Sequence, residues 1–304
     1  MLYQEMQETL SRSPPIFRYE TMWEAHADFA HLIDQNWKAE HPASMHDLEK
    51  KLEDLSASLS EWGRNTFGHV RRELKKLKGE LAAMRLAPGR VGPDYLEIKV
   101  VERIVELQHR EEMMWKQRSR IQWLSEGDRN TRFFHMRASK RKKRNRISRL
   151  RRQDGSFTED PDELRLMARE FYDTLYTSEQ TAGVEEVLDS VRASVSQAMN
   201  DQLLVPFEGG EVKAAMFQMF PLKAPGPDGF PAHFFQKHWD LCGEEVTKAV
   251  LRILSGEDTP EGVNRTFIVL IPKVASPEEL GQFRPISVML FTRLLLKYWR
   301  IGSS

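Results

Sequence analysis

Residues 44–86 read SMHDLEKKLEDLSASLSEWGRNTFGHVRRELKKLKGELAAMRL, and their spacing decides the fold class. Leu48, Leu52, Leu55, Leu59 and Trp62 follow one another at intervals of 4, 3, 4 and 3. Phe67, Val70, Leu74, Leu77, Leu81 and Met84 resume at 3, 4, 3, 4 and 3. A helix returns to one face at that period, so the stretch is a heptad seam with charged residues on its other sides. GRNTFG interrupts the seam, since each of its glycines weakens a helix by about 1 kcal/mol relative to alanine. Pro88, Gly89, Gly92 and Pro93 then make a turn. A second amphipathic helix is predicted over 94–123, through Leu96, Val100, Val101, Ile104, Leu107, Met114 and Trp115. Two long helices joined by a short turn give a long antiparallel helical hairpin over 44–123. It serves equally as an interaction module, with a protein partner, or as a spacer arm.

The rest of the composition agrees with solvated helices. Of 304 residues, 40% are hydrophobic and 30% charged, against roughly 45–50% and about 25% in an average globular chain. Cys242 is the one cysteine, which excludes an internal disulfide framework or thiolate zinc cluster. No apolar run approaches the ~20 residues that span a bilayer. The first residues, MLYQEMQETLSRSPP, lack the basic start and apolar core of a signal peptide. The expectation is an intracellular protein without a membrane partner.

A net charge of zero hides a strong asymmetry. Between Trp115 and Arg152 lie 15 Lys and Arg against two acids, a local net of +13. The following stretch, Gln153 to Gln218, holds 14 acids against four bases. Cations concentrated in this way call for a polyanion. Interleaved Trp123, Phe133, Phe134 and His135 add surfaces on which bases stack. The candidate RNA- or DNA-binding residues are Lys116, Arg118, Arg120, Arg129, Arg132, Lys140, Arg141, Lys142, Lys143, Arg144 and Arg146. A nuclear localisation signal or a solvated basic face has the same composition, so a nuclear location is a further expectation.

Around these landmarks the chain divides as follows. Residues 14–43 form a short helical segment, with a helix from about Thr21 to Glu40 on the spacing of Trp23, Ala27, Ala30 and Asp34. Residues 124–159 hold the basic segment. Gly127 ends the preceding helix, Asp128 caps a new one, KRKKRNR is too charged to pack, and a short hairpin turns at Asp154-Gly155. Residues 160–210 are an acidic helical connection. A second unit, 211–287, opens with a helix face of Val212, Ala215, Met216 and Met219. A helix over 233–254 and a hairpin of NRTFIVLIPKV (264–274) with FRPISVM (283–289) follow. Residues 288–304 form a divergent tail.

Few motifs suggest chemistry. KAPGPDGFP (223–231) is a rigid loop whose Gly226 and Gly229 allow close backbone approach, with Asp228 suited to an Asx-turn. It lacks the spacing of a Walker loop, and local physics favours a structural turn. Lys273 and Arg284 lie on the candidate hairpin, where two cations grip phosphates or simply sit on the surface. His233 and His238 are five apart, not the i, i+4 of a helical zinc pair. No metal site and no catalytic residue is expected.

Several strings in combination resemble one family. They are FRYETMWEAHADF (17–29), NTFGHVRRELKKL (65–77), WKQRSRIQWLSEGDRNTRFFHMRASKRKKRNRISRL (115–150), KAPGPDGFPAHFFQKHW (223–239), IVLIPKV (268–274) and FRPIS (283–287). Their order and content resemble the open reading frame of plant LINE-type, non-LTR retrotransposons, where the endonuclease joins the reverse transcriptase. The resemblance implies a mostly α chain: the helical hairpin, then an α+β fragment of a reverse-transcriptase fingers domain. It implies a basic block that holds element RNA. It also implies that Lys223, Gly226, Asp228 and Gly229 lie against template, and that Lys273 and Arg284 hold template backbone or incoming triphosphate. The family activity is RNA-directed DNA synthesis, with Mg²⁺ held by palm carboxylates C-terminal to FRPIS. After Glu279 this chain has no Asp or Glu, and no Asp-Asp pair occurs in it. The expectation is a derivative truncated before the palm, with no cofactor of its own, that binds nucleic acid without polymerising. The alternatives are a co-opted RNA-binding or scaffolding protein acting through the hairpin, or a non-functional fragment.

Overall fold

The computed structural model describes residues 17–38, 42, 44–88, 91–119, 131–177, 195–259 and 266–288. They are mostly helical, with two small antiparallel hairpins. A 3-10 turn (Thr21–Ala25) precedes helix α1 (Phe29–Lys38), where the sequence predicted one helix. The predicted face was also wrong. Ala27 and Ala30 are exposed, and the buried side of α1 is Phe29, Ile33 and Trp37. Residues six apart on one helix point about 120° apart, and the break between Trp23 and Phe29 lets both face the same core.

Helix α2 (Met45–Phe67) starts at a capping box in which Ser44 and Asp47 satisfy each other's amides. Leu48, Leu52, Leu55 and Leu59 are each at most 1% exposed, and burying such a side chain contributes roughly 1.5–3 kcal/mol. Gly68 (φ +53°) ends the helix, and α3 (Val70–Leu86) leaves in a new direction. The seam therefore serves two cores. Its first half packs on α1 and α10 (Trp239–Leu254). Its second half, Val70 and Leu74, packs with Leu107 of α4 (Tyr95–Ser119). Ion pairs Arg71–Glu111, Arg103–Glu73 and Arg85–Glu97, at 3.0, 2.9 and 3.0 Å, register α3 antiparallel to α4.

The remaining helices are α5 (Thr131–Arg144), α6 (Pro161–Tyr176), α7 (Gln197–Leu203), α8 (Gly209–Phe217) and α9 (Ala232–Lys237). The predicted helix over 233–254 is thus two, α9 and α10, separated at His238 (φ −105°, ψ 25°). The face Val212, Ala215 and Met216 of α8 is fully buried, as its spacing requires.

One hydrophobic core joins residues far apart in the chain. It includes Tyr19, Trp37 and Leu55 from the first quarter, and Phe230, Phe234 and Val246 from the second unit. Within it Lys51 Nζ lies 3.0 Å from a Glu245 carboxylate oxygen and 4.7 Å from the Trp37 ring, so neither buried charge is left uncompensated. Glu24 clasps the same two regions from outside. Its carboxylate accepts from Tyr19 Oη and Lys237 Nζ and lies 2.9 Å from His233 Nε2. Burial alone would raise its pKa, but these partners hold it at about 2.

A smaller core gathers the strands. β1 (Leu150–Arg151) pairs with β2 (Phe157–Thr158), and β3 (Phe267–Pro272) with β4 (Phe283–Val288), both antiparallel. Leu150, Leu280 and Phe283 pack with Leu270 and with Leu164 and Met167 of α6. In β3 the register pairs Val269 with Ile286 and Ile271 with Arg284 on the opposite, outward face.

Candidate nucleic-acid interface

The basic segment is helical through Arg144 and is seated by Phe134, His135 and Arg141, while the other cations of KRKKRNR stay exposed, in keeping with a run too charged to pack. α5 continues through Arg144 and crosses the end of α4. There the last carbonyls of α4 lack intrahelical partners. The Arg141 guanidinium donates to the carbonyls of Ser119 (3.2 Å) and Arg118, placing a cation at the negative helix terminus. Burial, with Arg137 nearby, lowers the Arg141 pKa. Phe134 is buried, and the His135 ring meets Trp115 edge-on at 4.4 Å. These contacts seat the helix, and the buried Phe134 ring is not free to stack on bases. Trp123, Arg120, Arg129, Gly127 and Asp128 lie outside the described residues.

Seated in this way, α5 forms one wall of an open groove of about 770 Å³. Arg141, Lys142 and Asn145 line it from this side, and Arg118 from the end of α4. Segment 17–20 lies along it, with Arg18 exposed. The opposite wall is the loop Lys223–Gly226 with Phe267 and Val269 from the outward face of β3. The groove joins the basic block to the KAPGPDG loop, two motifs that the sequence keeps about eighty residues apart.

Its charges are unequal. Arg118 is paired with Glu20 at 2.7 Å. Burial raises the Glu20 pKa, and the nearby Arg118 acts against that rise. Arg18, Lys142 and Lys223 are exposed and have no hydrogen bond or ion pair from their side chains among the described residues. They are the groove cations available to phosphate. Elsewhere the block is partly committed to structure. Arg149 and Arg151 both reach Glu278 at 2.6 Å, and Arg152 binds Glu163 at 2.5 Å. Arg132, Lys140, Lys143, Arg144 and Arg146 are exposed, and Lys116 is half-buried; none of these six lines the groove.

The loop owes its shape to close contact. Gly229 (φ +76°) has no room for a side chain: a Cβ there would lie 2.4 Å from the Phe17 carbonyl oxygen. Its own carbonyl accepts from the Tyr19 amide at 3.1 Å. Gly226 is buried at the groove edge. Asp228 faces inward, both carboxylate oxygens buried and without a hydrogen-bond partner. Burial pushes its pKa up to about 7, opposed by the amides of Phe230 and Gly229, which fall short of hydrogen-bond geometry.

Lys273 and Arg284 stand apart from the groove. Lys273 Nζ donates to the Gly281 carbonyl at 2.7 Å, tying the ends of the β3–β4 connection. Arg284 is exposed on the face that Val269 shares, one non-adjacent pair further along. Sequence reasoning missed Arg18, Glu20, Asn145, Phe267 and Val269. Alternation along β3 was the available signal for the last two, because Leu270 turns to the core and its neighbours must turn away. Among the described residues no group of three or more His, Cys, Asp or Glu stands together as a metal site.

The Asp228 carboxyl makes a pH prediction. Its folded pKa is raised, so the stability it contributes is fully present below about pH 4 and is lost as pH rises to about 7. Asp228→Asn removes that dependence. Urea unfolding across this range should show the wild type losing stability relative to the variant, with the difference level above about pH 7.

The chain is similar to a known transposon protein. Over 240 residues, 77% of this chain, it is 28% identical to the transposon TX1 uncharacterized 149 kDa protein of Xenopus laevis. That stretch is 18% of the relative's length. No protein-family model matches the chain. The similarity supports a transposon-related chain and agrees with the resemblance carried by its motifs.

Proposed function

We propose that this chain is the part of a LINE-type retrotransposon protein that grips single-stranded RNA of the element ahead of and at the start of a reverse transcriptase's fingers. The observation that carries this reading is the groove. It brings Lys142 and Lys223 to opposite walls, with Phe267 and Val269 exposed beside them. Cations with an apolar, partly aromatic surface beside them suit a strand whose phosphates are neutralised while its bases rest on apolar surface. The relative's transposon origin and the family motifs support an element RNA as the natural strand.

Polymerisation is a separate matter in this reading. Two-metal phosphoryl transfer needs paired carboxylates on Mg²⁺, and neither Glu20 in the groove nor Asp228 behind it supplies such a pair. Glu20 is paired with Arg118, and Asp228 is buried beneath the loop. These 304 residues on their own are therefore expected to bind template without extending a primer. Primer extension on an RNA template with Mg²⁺ and dNTPs should give no product, and robust product overturns this part of the proposal.

Affinity should depend steeply on salt. With the three free groove cations each neutralising one phosphate, the log–log slope on single strands is about −2, at roughly −0.7 per contact. Replacing both Lys142 and Lys223 with alanine should flatten the slope by about 1.4. An unchanged slope in fluorescence anisotropy would move the strand elsewhere.

A further inference from the structure

Helix α5 is cationic on two opposite sides. At 100° per residue, Ala138, Arg141, Lys142 and Asn145 fall on one arc, and this arc lines the groove. Arg132, Met136, Lys140 and Lys143 fall on the arc that points away, with Arg144 at its edge, and all five are exposed. None of these four cationic side chains makes a hydrogen bond or ion pair among the described residues.

That outer face contrasts with the cations around it. On the α3–α4 pair Arg71, Arg85 and Arg103 each meet a glutamate of the other helix. Arg149, Arg151 and Arg152 are matched to Glu278 and Glu163. Arg141 is spent on helix-end carbonyls. Like charges at i, i+3 and i+4, such as Lys140 with Lys143 and Arg144, weaken a helix. A row of this kind, without an acidic partner among the described residues and on a well-formed helix, is suited to an anion that lies outside the groove.

We infer that the outer face of α5 holds a second nucleic-acid strand while the groove holds the first, so that the chain brings two strands together and speeds the annealing of complementary ones. This rests on the groove reading. An α-helix with its side chains is about 10–12 Å across, close to the screening length of ~8 Å at physiological salt. Strands on its two sides are near enough to find each other, and the cations between them offset the repulsion of their phosphates. Holding both on one body also raises the effective concentration of each for the other.

The test uses the 304-residue chain and two short complementary RNAs carrying a donor and an acceptor fluorophore. Native mass spectrometry with a non-complementary pair counts strands per protein. Wild type should carry two strands and raise the annealing rate about tenfold or more over protein-free RNA, the scale of electrostatic gains in encounter rate. The outer-face variant R132Q/K140Q/K143Q/R144Q should carry one strand and lose the acceleration, with its circular dichroism unchanged. The groove variant K142Q/K223Q should lose the tighter strand. Wild type saturating at one strand, or an outer-face variant that anneals as fast as wild type, overturns the inference and leaves the groove reading standing. Wild type that binds no strand overturns both.

Discussion

The groove exists because the chain near its beginning is fastened to a loop some two hundred residues later. The Tyr19 amide donates to the Gly229 carbonyl, and the Phe17 carbonyl sits where a Gly229 side chain would be. Around that point the Tyr19 ring meets Phe234 and Phe29 edge-on and Phe230 at a tilt, and Glu24 ties Tyr19 to α9. Aromatic pairs of this sort contribute about 0.5–1.5 kcal/mol each beyond the area they bury. Their number makes the junction stiff. Gln117 then carries the junction to α4, accepting from the Thr21 amide and donating to the Tyr19 carbonyl. The end of α4 in turn receives Arg141 of α5. The basic helix is thereby aimed at the loop through a series of short, directional contacts.

The basic block is not uniform. Read as a composition it is fifteen cations between Trp115 and Arg152. In the structure some hold the small core together through Glu278 and Glu163, Arg141 caps a helix end, and another, Arg118, is matched to Glu20. What remains for phosphate is a smaller set on α5, the loop and segment 17–20. A desolvated cation that already has a partner gains little from a second anion, whereas a solvated lysine releases counterions when it meets one. The free set therefore governs affinity, and the matched set governs where the free set points.

Much of this fold was legible in the sequence, for reasons that can be named. The 3-4 spacing from Leu48 to Met84 records helices because burial enforces a period. The Asp154-Gly155 turn and the β-branched run at 267–272 record hairpins because turn chemistry is local. Local rules failed where partners are distant. Nothing in residues 21–40 says that Trp23 and Phe29 must both face Phe234 and its neighbours, so the break at His26 was invisible. Nothing in KRKKRNR says that helix-end carbonyls wait to receive Arg141. The KAPGPDG loop reads as a turn because its glycines and prolines are local facts. Its position across from α5 depends on the Tyr19–Gly229 contact, which no spacing encodes. The family resemblance pointed to this loop and to the basic block as contacts for nucleic acid, and the fold sets them on facing walls.

The central claim is that one strand runs between α5 and the KAPGPDG loop. The most direct measurement is photo-cross-linking of a single-stranded RNA carrying 4-thiouridine, followed by peptide mapping. The account predicts adducts on peptides from both walls, around Lys142 on one side and Lys223 or Phe267 on the other. Adducts confined to α3 and the facing surface of α4, with none on either wall, would contradict it.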